Sequence, residues 1–334
     1  MKLLRAWFLE VPARFFVGTR ETLEPIDPAI LGRLRRIEST FLDAYFYSIR
    51  DPEPAALAAF LDRAPPEFRG FAYEGAGMGL AMVDAVTPWR AGCFQRFLEG
   101  PGARFAILMY VGLGWAIGRL GLNLDHSLSR LDPVLSWLTV DGYGFHNGFF
   151  SPRASYLGHR APVHLLPFQR RVTDMGLGRS MWFGVANVRR MVEIIERFEP
   201  SRRADIWSGV GLASAYAGGR PVSELAVLLK AAGPARAEMA RGASLAVLTR
   251  HLAGEPVPHT DEVASFYTRL PAETVTAVVS AVHAKYAALA RRLPPGPDAR
   301  LYQAFLAEVQ AQVTPELTSS EADAGTPRAA HTRS

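Results

Sequence analysis

Asp141 and His146 stand five residues apart in the run Asp141-Gly-Tyr-Gly-Phe-His146-Asn-Gly148, the densest cluster of polar and aromatic groups in the chain. A carboxylate can orient an imidazole, and an imidazole titrates near neutrality, so the pair suits general acid–base work. The same two residues also suit a plainer arrangement, with Asp141 capping a helix and His146 hydrogen-bonded in the core. Further along, Arg179 with Asp174 or Asp205 could form a polar anchor for a substrate, or equally a structural ion pair. Tyr143, Trp182, Trp207 and Tyr216 lie among these residues and could wall an apolar ligand.

Other chemistries have less to stand on. His259-Thr-Asp261-Glu262 follows Pro258 and reads as a helix start capped by Thr260 or Asp261; as a metal site it lacks the spacing of paired histidines around a glutamate. No metal and no cofactor is expected. No Gly-x-Ser-x-Gly elbow is present, and the single thiol, Cys93, has no histidine beside it in sequence. The Gly-x-Gly patterns at Gly112, Gly114 and Gly118 and at Gly209 and Gly211 lack the preceding strand and the acid that dinucleotide binding requires. They sit inside apolar runs, where small residues let two helices approach closely.

The elements that must position these residues are helices. Asp27-Pro28 opens one, with Asp as N-cap and Pro in the first turn. Behind it Ile30, Leu34, Ile37, Phe41, Tyr45 and Ile49 recur at spacings of three and four, which puts them on one face. Helical periods recur over 57–61, 188–198, 223–229, 243–252 and 272–293, divided by Pro- and Gly-containing breaks. Alternating stretches such as Leu138 to Val140 are too few to make a sheet, so an all-α fold is expected, a helical bundle.

Met78-Gly79-Leu80 recurs as Met175-Gly176-Leu177, and Gly112-Leu-Gly114-Trp-Ala116 as Gly209-Val-Gly211-Leu-Ala213, both at an offset of 97 residues. Asp43-Ala-Tyr45-Phe-Tyr47 is echoed by Asp141-Gly-Tyr143-Gly-Phe145 one residue off that offset. An internal duplication follows, with one helical repeat at 38–135 and a second at 136–232, packed about a pseudo-two-fold axis with a ligand pocket between them. Residues 1–37 form an N-terminal arm and first helix, 233–293 three further helices, and 294–334 a terminal helix and a tail expected to be disordered from Pro315 on. The second repeat carries Asp174, Arg179 and Trp182 where the first has Gly77, Met82 and Ala85, so the site is expected mostly within 141–216.

With 334 residues, 49% hydrophobic and 21% charged, the chain can bury a substantial core without staples. Lysine occurs only at positions 2, 230 and 285; the arginines that give the net charge of +5 are scattered among acids. Such scatter argues against a nucleic-acid partner. One cysteine excludes an internal disulfide framework and fits a reducing compartment. The start of the chain lacks a signal-peptide pattern, and the apolar run 105–118 is shorter than a membrane span, so a cytoplasmic location is expected with membrane contact at most peripheral.

Four strings together resemble the bacterial domain of unknown function 1702 family: Asp141-Gly-Tyr-Gly-Phe-His146, Gly176-Leu-Gly-Arg179-Ser-Met-Trp182-Phe, the stretch from Asp205 to Gly219, and His259-Thr260. The likeness runs from about residue 30 to 295 and departs at Asp261-Glu262 and Ser265-Phe266-Tyr267. What the resemblance implies is a place in enediyne-type polyketide biosynthesis, beside an iterative polyketide synthase and other proteins of the pathway. The implied ligand is a linear polyene or polyketide, long, apolar and flat. Two readings stay open: an accessory enzyme that matures such an intermediate, and a non-catalytic protein that binds it or organises a complex. A cyclase of isoprenoids or polyenes is a third, without an aspartate-rich diphosphate motif to support it.

Overall fold

The computed structural model describes residues 27–87, 92–160, 162–185 and 187–314, and among them regular structure is helical throughout. In chain order the α-helices are α1 (Pro28–Arg50), α2 (Pro54–Leu61), α3 (Pro66–Val86), α4 (Cys93–Glu99), α5 (Ala106–Leu120), α6 (Leu124–Leu128), α7 (Ser136–Phe150) and α8 (Pro167–Gly184). They continue with α9 (Val188–Glu196), α10 (Pro200–Ala217), α11 (Val222–Ala232), α12 (Arg236–Ala253), α13 (Pro258–Thr268), α14 (Ala272–Ala290) and α15 (Ala299–Val313).

Helix starts follow sequence rules closely. Asp27 accepts hydrogen bonds from the backbone N–H groups of Ala29 at 2.8 Å and Ile30 at 3.4 Å, with Pro28 in the first turn. All six apolar residues of the predicted α1 face are buried. Leu138 to Val140 lies inside α7 rather than in a strand. Thr260 does not cap α13, which begins earlier, at Pro258; its hydroxyl donates instead to the Ala215 carbonyl at 2.9 Å. The N-terminal stretch read for a signal and the tail from Pro315 lie outside the described residues.

Seven helices, α1, α3, α5, α7, α8, α10 and α12, pack each against the next in chain order. Glycine pairs set their spacing. A Cβ on Gly112 of α5 would collide with the Glu74 carbonyl oxygen of the helix before, and one on Gly114 with the Thr139 carbonyl of the helix after. Gly75 and Gly77, Gly142 and Gly144, Gly176 and Gly178, and Gly209 and Gly211 repeat that arrangement, the first of each pair facing back and the second forward. Gly242 of α12 ends the series against the Ser208 carbonyl. The Gly-x-Gly patterns are therefore helix–helix contacts, made backbone to backbone where no side chain fits.

The row curls so that its first helices meet its last. Arg250 of α12 donates to the Glu67 carbonyl at the start of α3 at 2.9 Å and to the Tyr216 carbonyl of α10 at 3.0 Å. Arg33 of α1 donates to the Ala217 carbonyl at 2.6 Å and pairs with Glu67; Arg69 of α3 pairs with Glu255, just past α12. Helices α14 and α15 pack against α12, and their side chains His283, Tyr302 and Phe305 reach the interior of the curl. The stretch Ala103–Leu120, long and apolar enough by composition to cross a membrane, is largely α5 and is 56% buried within the row.

Candidate functional site

The residue just before the first glycine of each pair is fixed in register by that glycine, and its side chain faces the interior of the curl. Reading along the row, these residues are Glu74, Val111, Asp141, Met175 and Ser208; Phe41 of α1, whose carbonyl meets Gly75, takes the corresponding place at the start of the row. Each lines one of two interior cavities. One helical turn further on, Trp115, Phe145, Arg179 and Leu212 add a second layer on the same face, as a period of 3.6 requires. Three charged side chains of a mainly apolar interior are thus brought together: Glu74 from α3, Asp141 from α7 and Arg179 from α8.

Arg179 is the centre of the group. Its Nη1 bonds the Asp141 carboxylate, its Nη2 lies 3.8 Å from Glu74 Oε1, and its guanidinium sits 5.0 Å from the centroid of the Phe145 ring. Trp115 Nε1 donates to the same Glu74 oxygen at 3.0 Å. All three charged side chains are buried. Removal from water pushes the Glu74 carboxyl up to about 7, opposed by the Arg179 charge and the indole hydrogen bond. Burial also raises the Asp141 carboxyl, opposed by Arg179. Two carboxyls thus share one guanidinium, and the second, Glu74, is poised to hold or release a proton near neutrality.

Arg179 also divides the interior space. On one side lies a cavity of about 70 Å³ lined by Asp141, Arg179, Tyr216 and Tyr302 together with apolar groups such as Val111, Leu138, Met175 and Leu248. On the other lies an aromatic cavity of about 40 Å³, walled by Phe41, Phe71, Trp115, Phe145, Phe149 and Phe183 and touched by Glu38 and Glu74. A third pocket of about 190 Å³, with half-exposed Arg104 in its wall, shares Ile107, Leu108, Leu135, Thr249 and His283 with the first. The three adjoin in order: outer pocket, apolar cavity, charged group, aromatic cavity.

Several residues expected in the site from sequence lie elsewhere. His146 does not pair with Asp141: five residues along a helix is a rotation of about 140°. Its Nδ1 is 3.2 Å from Asn147 Oδ1, its Nε2 is buried without a hydrogen-bond partner, and its ring packs by Trp115. Burial drives this imidazole down to about 4, which leaves it neutral. Asp174 and Asp205 do not reach Arg179. Arg202 holds Asp174 through two hydrogen bonds, at 2.9 and 2.6 Å, and Arg171 holds Asp205 likewise, at 2.9 and 3.2 Å.

Of the four aromatic residues expected as walls, Tyr216 alone lines one of the three pockets. Tyr216 lines the apolar cavity, under the Arg250 guanidinium at 4.0 Å and edge-on to Phe71. Trp182 and Trp207 are buried but line none of the three pockets; Trp182 lies against Arg220. Tyr143, two residues beyond Asp141 and so turned some 200° away, is half-buried with its hydroxyl 3.5 Å from His164 Nε2. His259 directs Nε2 at the Tyr216 carbonyl, 3.2 Å away, a structural contact.

Glu74 and Trp115 stand outside the candidate site residues that the sequence motifs single out. The signal was available: Glu74 is the only charged residue between Gly70 and Val83, as Arg179 is between Met175 and Gly184. A lone charge in a glycine-rich apolar helix must be paired inside the protein.

A profile of the family described as a protein of unknown function, DUF1702, matches residues 12–310. The chain belongs to the DUF1702 family. Every helix of the curled row and every pocket residue named above lies within the matched span, so the site is built wholly from the DUF1702 region. Comparison with curated proteins and with solved structures gave no match.

Proposed function

We propose that this DUF1702 protein takes an elongated apolar small molecule into its row of cavities and moves protons on it, with Glu74 as the group that gives and takes the proton. The observation that carries this reading is the position of the Glu74–Arg179–Asp141 group, buried between an apolar cavity and an aromatic one. Arg179 and Asp141 are positioning residues here: their ion pair fixes the guanidinium that faces Glu74. Trp115 orients the carboxyl by its hydrogen bond. In this reading the molecule is a linear polyene or polyketide of an enediyne-type pathway, as the family resemblance implies, and other proteins of that pathway supply it.

The test is reconstitution in a clean host: the neighbouring biosynthetic genes are expressed without this gene, with it, and with its Glu74→Gln variant, and the metabolites compared by mass spectrometry. Accumulation of one intermediate both without the gene and with Glu74→Gln is expected. Products unchanged by Glu74→Gln would overturn the proton-transfer role. One observation favours a carrier that only shields its ligand: Asp141, Asp174 and Asp205 are each held by an arginine and so are not spare bases. A carrier predicts lower yield of the same products without the gene, and full yield with Glu74→Gln.

We also propose that the row arose by duplication of a three-helix unit, α1–α3–α5 giving α7–α8–α10. Its support is the recurrence of contacts: Gly75 on Phe41 and Gly77 on Met109 correspond to Gly176 on Asp141 and Gly178 on Ile206. These contacts pair Gly176 with Gly75, an offset of 101, and Gly209 with Gly112, an offset of 97; they set Arg179 opposite Met78. An alignment of the two halves across many relatives should match the same pairs, and a match of Gly176 to Gly79 would refute this register.

A further inference from the structure

We propose that the aromatic cavity is a cation site, built to hold an alkylated or carbon-centred cation between its rings and the Glu74 carboxylate. This rests on the reading of the cavities as an apolar-ligand site and names the charge that ligand carries. Two features of the cavity point to it.

The first is charge count. At the buried centre Asp141 and Glu74 face a single guanidinium, and Asp141 has taken its near side. A buried carboxylate needs a positive partner or a proton. Empty, the cavity leaves Glu74 to be neutralised by a proton; filled by a cation, it lets Glu74 ionise. The second is the wall. Phe41, Phe71, Trp115, Phe145, Phe149 and Phe183 present aromatic rings from five helices, with Trp115 within 4.7 to 5.9 Å of Phe41, Phe145 and Phe149 by ring centroids. Ring faces attract cations, most strongly where water is excluded, and Phe145 already carries the Arg179 guanidinium. An anionic ligand would meet the same rings and the surplus carboxyl as repulsion.

During a reaction the cation would be made in place. The Glu74 carboxyl adds its proton to one carbon of an alkene, the π bond breaks and the neighbouring carbon becomes cationic. Loss of a proton from the next carbon to the Glu74 carboxylate restores the acid and leaves the double bond moved. Nothing is oxidised or reduced, so no co-reactant is required.

Three probes with one chain and different heads decide the matter: N,N-dimethyldecylamine, decanol and decanoate, titrated into the full chain by calorimetry. The amine should bind at least about tenfold more tightly than the other two, and Glu74→Gln should remove that preference while decanol binds as before. The titratable groups lining the cavity are Glu38 of α1, Glu74 of α3 and Arg179 of α8; Asp141 and Tyr216 lie across Arg179 in the apolar cavity, and His146 of α7 packs behind Trp115. Should Glu74→Gln fail to fold, the native protein still answers. Amine affinity should rise from about pH 6 to about pH 8 while decanol affinity stays flat, with proton release on amine binding at the lower pH. Equal affinity for all three heads would overturn the cation site and leave the apolar-ligand reading standing; tighter decanoate would overturn it in favour of an Arg179 anion anchor. Failure of all three to bind would overturn both.

Discussion

Glu74 Oε1 stands 3.8 Å from Arg179 Nη2, beyond hydrogen-bond reach, while Asp141 binds the Nη1 of the same guanidinium. The arrangement is unequal by construction. One carboxylate is neutralised by its ion pair and the other is left to the indole of Trp115 and to a proton.

Removing the shared cation should therefore cost more than removing either acid. Arg179→Met would strand Asp141 and Glu74 together in the core, with an expected loss of about 3–5 kcal/mol. Adding Asp141→Asn to that variant should restore part of it, since one of the stranded charges goes. Denaturant unfolding of the single and double variants measures this, and strictly additive losses would rule out the shared centre.

Glu74 should make the protein less stable as pH rises. Its folded carboxyl sits near 7 against 4.5 for the ordinary group. Below about pH 4.5 folded and unfolded chains both keep the proton and there is no penalty. Between there and about pH 7 unfolding releases the proton, so stability falls with pH and then levels off. Glu74→Gln should flatten this slope in melting temperature over that window; parallel curves for the two proteins would contradict the assignment.

His146 works in the opposite sense. It is held neutral with its titration near 4, against 6.5 when unfolded. As pH falls from about 6.5 to about 4 the unfolded state takes up a proton that the folded state refuses, and stability is lost. His146→Gln should be less sensitive to acid across that range while retaining the activity that Glu74→Gln loses. Loss of activity in a folded His146→Gln protein would return this residue to the chemistry.

Two glycine-to-alanine changes separate close approach from helix preference. At Gly209 a Cβ would collide with the Met175 carbonyl, so Gly209→Ala should destabilise by several kcal/mol, about the cost of a large core disruption. At Gly32, mid-helix in α1 with nothing within 4 Å of a Cβ, Gly32→Ala should stabilise by about 0.5–1 kcal/mol. Similar effects at both sites would sink the backbone-contact account.

Much of the fold could be read from sequence because its rules are local: the Asp27-Pro28 start and the α1 face from Ile30 to Ile49 need only capping and a period of 3.6. The site was half legible. Asp141, Arg179 and Tyr216 were singled out as unusual polar or aromatic groups, and the structure lines the cavities with them. What misled was closeness in sequence. His146 and Tyr143 share a motif with Asp141, yet rotation about the helix axis sends them to other faces. Asp174 and Asp205 seemed natural partners for Arg179, while the true second acid, Glu74, is 105 positions away on another helix. Such pairing is decided by which helix neighbours which, and the curl of the row that joins α3 to α8 and α10 is set by tertiary contacts.

The glycine contacts also bear on how such a chamber can change over generations. Because the wall is held by main chain against main chain, its dimensions do not depend on which side chains face inward. Positions 41, 111, 175 and 208 can be rewritten one at a time, exchanging an aliphatic for a ring, while the neighbouring helices keep their distance; Asp141 has to change together with Arg179. A lineage built on this plan can acquire a new ligand by altering the lining alone, and the glycines are what it cannot alter.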